Sequence, residues 1–160
     1  MYPSILTNAT CGNMKAILFA ALVLPCFASI VSGAEPLPTA TQLVQKAKSE
    51  CNSVEGGEFN AAEQAITLHD FTGDGRPEKV VDASRFSCST AVSMWGGSGG
   101  TFLWLIVDGK VYEYLAHRWQ VVDVDGQKVL LLAVHTSECG DTIGPCYRAL
   151  VWSDGFRSPR

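Results

Sequence analysis

The pattern of apolar and polar positions changes from helical to strand periodicity near residue 57. Before that point, apolar residues recur at helical spacing at Leu43, Val44, Ala47 and Cys51. This spacing predicts an amphipathic helix that ends at about Cys51 and turns its polar positions to solvent. Thr39 and Thr41 both have a side chain suited to the N-cap, so the helix is expected to begin at one of them.

After residue 57 the apolar segments are short and closely spaced, which is typical of β-strands. Asp108-Gly109 and Asp125-Gly126 separate neighbouring apolar segments, and Asp-Gly at such a position is a strong signal for a tight hairpin. Strands are predicted over 65–69, 79–82, 101–107, 111–116, 119–124, 129–135 and 147–152.

The order of these elements predicts an α+β to mainly β fold. We expect the N-terminal helix to pack on an antiparallel sheet of about five to seven strands, with a meander of about five strands in the C-terminal half. Segments 101–107 and 129–134 are apolar at consecutive positions, so both of their faces should be covered. A twisted sheet under the helix, a small sandwich and a small barrel all satisfy this requirement.

The N-terminal region has the pattern of an export signal. Lys15 precedes an apolar run over 16–24, and Ser32-Gly33-Ala34 supplies small residues before a cleavage point at Glu35. The apolar region is shorter than the roughly 20 residues of a membrane-spanning helix and contains Pro25. We therefore predict a signal peptide over 14–34, after a leader over 1–13 that is not part of the translated protein, and one domain over 35–160. Lipid attachment at Cys26 is an alternative.

Four cysteines remain after the predicted cleavage, and an even number in a small exported domain predicts two disulfides. The expected pairs are Cys51–Cys88 and Cys139–Cys146. A zinc site with His135 beside the second pair is the alternative, although the spacing lacks the C-x2-C arrangement of structural zinc sites. Disulfides together with the signal peptide place the protein in the periplasm or outside the cell.

The charge of the chain limits its partners. The formal net charge is −4, and removal of Lys15 with the signal peptide makes it more negative. Nucleic acids and anionic membranes favour basic surfaces, so neither is expected as a partner. After processing no membrane span is predicted, and an envelope protein remains the partner to consider.

The segment 70–78 has the most specific chemistry in the sequence. With Asp70 as position one, Thr72, Asp74 and Glu78 place side-chain oxygens at positions three, five and nine, and Arg76 offers a backbone carbonyl at position seven. Calcium takes six to eight oxygen ligands, and alternate residues of a tight loop can direct such oxygens to one centre. The alternative is a plain Gly/Asp turn between two strands.

This segment resembles the D-x-[DN]-x-D-G-x-x-D calcium loops of FG-GAP propeller repeats and of dockerin repeats. The resemblance is confined to 70–78, and it implies bound calcium without implying the remaining fold. Thr72 and Glu78 depart from the usual residues of these loops. Position twelve is Val81, where an EF-hand has a bidentate glutamate, and the next residue, Asp82, is the nearest substitute.

Three classes of function remain open from the sequence. The first is a noncatalytic binding or interaction domain with structural calcium, in which Trp95, Trp104 and Trp119 could line a ligand groove. The second is an inhibitor that inserts residues 136–146 into an envelope enzyme, by analogy of size with lysozyme inhibitors. The third is a small hydrolase that pairs His135 or His69 with a carboxylate.

Overall fold

The computed structural model describes residues 39–140 and 146–159. The predicted leader, signal peptide and cleavage point lie outside the described residues, as does Cys26. The elements in chain order are α1 (Ala40–Ser53), β1 (Phe59–Ala61), β2 (Ile66–His69), β3 (Glu78–Asp82), β4 (Phe86–Cys88), β5 (Gly96–Gly97), β6 (Gly100–Val107), β7 (Lys110–Ala116), β8 (Arg118–Val124), β9 (Gln127–Val134), β10 (Cys146–Trp152) and β11 (Phe156–Arg157).

Helix α1 begins after Thr39, one of the two predicted N-caps. Thr39 and Gln42 form a capping box, in which the Gln42 amide donates to Thr39 Oγ1 and the Thr39 amide donates to Gln42 Oε1. The helix buries Ala40, Ala47 and Cys51 on one side. The predicted helix is confirmed, and it continues two residues beyond Cys51 to Ser53.

The strands form two larger antiparallel sheets and one small one. The first sheet has the order β2-β3-β6-β5, with β7 also paired to β6, and the second has the order β11-β10-β9-β8. Strands β1 and β4 pair separately beside the helix. The predicted α+β to mainly β fold with antiparallel sheets is confirmed.

The predicted meander is interrupted at His117. Strand β7 pairs with β6 up to Ala116, whereas Arg118 already pairs with Ala133 of β9. The His117 amide donates to the Ala133 carbonyl oxygen at 2.8 Å, so the chain passes from the first sheet to the second without losing this hydrogen bond. The consecutive antiparallel strands of the predicted meander are thus divided between two sheets, and apolar periodicity does not show where a chain changes sheets.

The first sheet is covered on both faces. One face packs against the second sheet, and the other carries α1. The buried side chains between the two sheets include Val80, Leu103, Leu105, Leu130, Leu132 and Leu150. Strand β6 is apolar at consecutive positions because Leu103 and Leu105 face the second sheet while Phe102 and Trp104 pack on the helix side. Each buried leucine contributes roughly 1.5–3 kcal/mol through removal of apolar surface from water.

Both predicted disulfides are formed. Cys51 at the end of α1 bonds to Cys88 of β4, across a sequence separation of 37, and Cys139 bonds to Cys146, across a separation of 7. All four cysteines are therefore oxidised, which removes the thiolates that the alternative zinc site would need. In the described part of the chain, no helix has both the length and the apolar character needed to cross a membrane.

Candidate functional site: an acidic hairpin loop and two cavities

The acidic segment forms the loop of the β2–β3 hairpin. His69 pairs with Glu78 at the end of the two strands, and the residues between them form the loop. Gly73 and Gly75 have φ angles of 77° and 82°, which glycine adopts without strain. The two glycines thus allow the chain to turn back tightly, and the turn brings the acidic side chains on either side of it together.

The three carboxylates of the loop converge. Asp70, Asp74 and Glu78 each place an oxygen within 4.8 Å of the others. Glu78 is buried, and its Oε2 accepts a hydrogen bond from the Phe71 amide at 2.6 Å. Thr72 Oγ1 lies 3.3 Å from Glu78 Oε1 and 3.5 Å from Asp70 Oδ1, so this hydroxyl stands between two of the carboxylates.

Backbone amides also hold the other two carboxylates in place. Asp70 accepts from the Gly73 amide at 2.7 Å and from the Gly75 amide at 3.0 Å. Asp74 Oδ1 accepts from the Arg76 amide at 2.7 Å. These bonds form the loop without an ion, so the geometry also agrees with a plain turn. The contribution predicted for the Arg76 carbonyl stays a prediction.

The loop has a surplus of negative charge. The ion pairs found among residues 39–140 and 146–159 involve other carboxylates, those of Glu50, Asp82, Asp123 and Glu138. Two like charges about 5 Å apart repel by roughly 1 kcal/mol in water and by roughly 3 kcal/mol at the effective dielectric constant of a protein surface. A bound cation would remove this repulsion, and hard carboxylate and hydroxyl oxygens are the ligands that calcium prefers.

The residues beyond the loop do not extend the site. Val81, at position twelve, is fully buried in the core. The carboxylate of Asp82 is directed elsewhere, because its Oδ1 accepts from the Ser84 amide and its Oδ2 accepts from Trp119 Nε1, both at 2.9 Å. Asp82 therefore does not substitute for the EF-hand glutamate.

The three tryptophans of the predicted groove do not lie together. Trp95 and Trp104 border a cavity of about 200 Å³ beside α1, where their indole nitrogens donate to Glu50 and Glu113 respectively. Trp119 is absent from this cavity and lies at the other side of the first sheet, bonded to Asp82. The structure therefore brings Trp95 and Trp104 together and leaves Trp119 apart, and sequence positions do not show which face of a sheet each side chain occupies.

A cavity of about 410 Å³ contains His135. Its lining includes Tyr114, Ser137, Glu138 and Arg148. His135 Nδ1 lies 2.8 Å from Ser137 Oγ and also accepts from the Ser137 amide, so this nitrogen caps the short 3₁₀ turn Thr136–Cys139. Glu138 pairs with Arg148 at 3.5 Å. Burial and Arg148 act in opposite directions on Tyr114, and burial, the larger effect, raises its pKa above the ordinary value.

The histidines of the predicted hydrolase have other neighbours. His69 packs edge-on against Trp119, with ring centres 5.6 Å apart, and burial followed by the charge of Lys128 lowers its pKa. In the described part of the chain, the hydrogen bonds join neither His69 nor His135 to a carboxylate. The segment predicted for enzyme inhibition is described only over 136–140 and at Cys146, because 141–145 lie outside the described residues.

A second cavity of about 410 Å³ lies where β2 and β8 face each other, and sequence reasoning missed it. It includes Thr67, Asp82, Arg85, Arg118 and Trp119 in its lining. Thr67 Oγ1 is buried without a hydrogen-bond partner, which costs about 1–3 kcal/mol if it stays unmet. The one sequence signal was Asp82, a charged residue that continues a buried apolar strand.

Comparisons with protein-family models, with curated proteins and with solved structures each found no significant match. The likeness of the hairpin loop to FG-GAP and dockerin loops therefore remains a local one, carried by residues 70–78.

Proposed function

We propose that the protein is an exported, noncatalytic binding domain whose β2–β3 loop holds a structural calcium ion. The observation that carries the calcium part is the convergence of the Asp70, Asp74 and Glu78 oxygens within 4.8 Å. Export is supported by the predicted signal peptide together with two disulfides, which persist in oxidising compartments. On this proposal the protein acts in the periplasm or outside the cell.

The ion would act as a clip on the hairpin. Asp70, Asp74 and Glu78 would supply carboxylate oxygens, and Thr72 a hydroxyl or a water-mediated contact. Calcium supplies positive charge, which offsets the mutual repulsion of these side chains. Glu78 is the first residue of β3, so the ion would join the loop directly to the sheet. A structural role is favoured over a catalytic one, because the loop's own amides and side chains surround the carboxylates.

Calcium should raise the thermal stability of the protein. If the dissociation constant is about 1 mM, as in extracellular calcium modules, about 10 mM calcium adds roughly 1.4 kcal/mol to the free energy of unfolding. For a domain of this size the corresponding rise in Tm is about 5 °C. Differential scanning calorimetry in calcium, in magnesium and in EDTA measures the effect. Equal Tm values of the wild type in calcium and EDTA would overturn the calcium proposal.

Asp74→Asn removes a negative charge from the loop and keeps a side chain of the same shape. The asparagine oxygen can still accept from the Arg76 amide, whereas one of the converging negative charges is removed. We therefore expect a Tm in EDTA equal to or above that of the wild type, and loss of the calcium-dependent rise. Asp125→Asn is the matched control, since Asp125 lies in the β8–β9 turn with φ of 52°, a conformation that asparagine also adopts readily.

A further inference from the structure

The cavity that Asp82 and Trp119 border lies at the seam between the two sheets. β2 ends the order of the first sheet and β8 ends that of the second, and side chains join the two strands. Trp119 on β8 packs against His69 of β2 and donates its indole N–H to Asp82 of β3. The cavity beside this contact measures about 410 Å³, within the range of small-molecule sites in proteins.

The cavity contains a buried charged group that a ligand could bind. Asp82 is only 7 % exposed, and each of its carboxylate oxygens accepts one hydrogen bond, from the Ser84 amide and from Trp119 Nε1. Each oxygen has a second lone pair and can accept another donor. Thr67 also borders the cavity, but its Oγ1 has almost no accessible surface, so a ligand does not reach this oxygen. Hydroxyl groups of a ligand suit Asp82, since a hydroxyl donates a hydrogen bond.

The charge of the lining is positive in a protein whose net charge is negative. Arg85 and Arg118 both border the cavity, against the single carboxylate of Asp82. The Arg85 Nε is 4.0 Å from Asp82 Oδ2, too far for a hydrogen bond, and its side chain is about half exposed. No ion pair of Arg118 occurs in the part of the chain that the structure describes. Guanidinium groups of this kind bind carboxylates through paired hydrogen bonds.

The apolar part of the lining limits the ligand further. Leu103 and Ala116 are buried side chains of the first sheet, and the Trp119 ring borders the same space. An indole ring and small apolar side chains accommodate the C–H face of a sugar ring, while the polar groups take its hydroxyls. A doubly charged anion such as a phosphate monoester fits less well, since Asp82 would repel its second charge.

We propose that this cavity binds a small polyhydroxylated monocarboxylate of the sugar-acid class, with ligand hydroxyls on Asp82 and the ligand carboxylate on Arg85 and Arg118. The inference rests on the proposed noncatalytic binding role and names its ligand. The cavity shares no lining residue with the acidic loop Asp70, Asp74 and Glu78. An experiment can therefore contradict calcium binding without contradicting sugar-acid binding, and the reverse.

Three probes separate the parts of this proposal. Titration of the full domain with sodium D-glucuronate, followed by two-dimensional amide NMR and calorimetry, should show binding with shifts centred on β2, β3 and β8. D-glucose lacks the carboxylate and acetate lacks the hydroxyls, so each should bind at least about tenfold more weakly than glucuronate. Absence of glucuronate binding, or equal affinity for glucose, would overturn the proposal.

One variant and a matched control test the assigned residues. Arg118→Gln should weaken glucuronate binding about tenfold, a difference of about 1.4 kcal/mol, whereas Arg157→Gln, the same charge change at an exposed position of β11, should leave it unchanged. Unaltered affinity in Arg118→Gln would overturn the assignment of the ligand carboxylate. Repeating the titration in calcium and in EDTA keeps the result separate from the loop.

Discussion

At the scale of single residues, the contacts of Asp82 distinguish this domain from a plain apolar sandwich. Asp82 is buried, and it accepts from Trp119 on the opposite sheet and from the Ser84 amide that follows it. A buried carboxylate is retained without destabilisation only where donors surround it. The same side chain therefore joins the two sheets and contributes a polar group to the cavity at the seam.

Because of His69, the free energy of unfolding should depend on pH in the mildly acidic range. Burial first, and the charge of Lys128 second, lower the pKa of His69 below its ordinary value of 6.5. The unfolded chain therefore binds a proton more readily than the folded one, so stability is complete above the unfolded pKa and falls as the pH decreases through it. His69→Phe keeps a ring against Trp119 and removes the titrating group.

Urea unfolding at pH 7.5 and at pH 5.5 measures this effect. The comparison of the two proteins isolates His69, because every other titrating group is common to both. We expect the wild type to lose more stability than His69→Phe does on moving to the lower pH. Equal losses in the two proteins would show that His69 does not contribute.

At the scale of elements, the start of α1 depends on a local arrangement that can be tested separately from packing. Thr39→Ala removes the acceptor of the Gln42 amide, so the free energy of unfolding should fall by about 1 kcal/mol. Thr41→Ala is the matched control, because Thr41 is exposed inside the helix and alanine favours the helix there. Chemical denaturation of both variants measures the difference. An equal loss in both would contradict the assignment of the cap to Thr39.

Element by element, the sequence predicted what local patterns encode. Helix α1 has a long periodic segment, strand β6 has a long apolar one, and the two Asp-Gly turns occur where β6–β7 and β8–β9 connect. β5 and β11 have two residues each, too few for a period, and they exist because β6 and β10 offer free edges to pair with. Their formation depends on the assembled sheets, which no local window of sequence contains.

At the scale of the whole molecule, one candidate site could be predicted from local sequence, whereas another depends on how the sheets pack. The acidic loop is contiguous, so its residues and spacing could be found from the sequence alone. The cavity at the seam combines Thr67, Asp82 and Trp119, which only the packing of two sheets brings together. Likewise, the separation of Trp119 from Trp95 and Trp104 follows from sheet order, which strand periodicity does not specify.

The two disulfides should contribute unequally to stability. In the chain-entropy description, a bond that closes a longer loop restricts the unfolded chain more, which gives about 4 kcal/mol for Cys51–Cys88 and roughly 2.5 kcal/mol for Cys139–Cys146. Cys51 is also fully buried on the packed side of α1. The paired replacement Cys51→Ala/Cys88→Ala should therefore reduce the free energy of unfolding more than Cys139→Ala/Cys146→Ala does. Denaturant unfolding of the two paired variants compares them, and the reverse order would contradict this account.

The longer disulfide has one more consequence, for cleavage of the backbone. Cys51 and Cys88 enclose a covalent ring that contains the whole β2–β3 hairpin and its acidic loop. Exposed loops are where proteases usually cut a folded chain. A single break in this loop would open the ring without dividing the protein, because the disulfide would still hold α1 to the remaining sheets. A nicked molecule would thus remain one molecule until its disulfide is reduced.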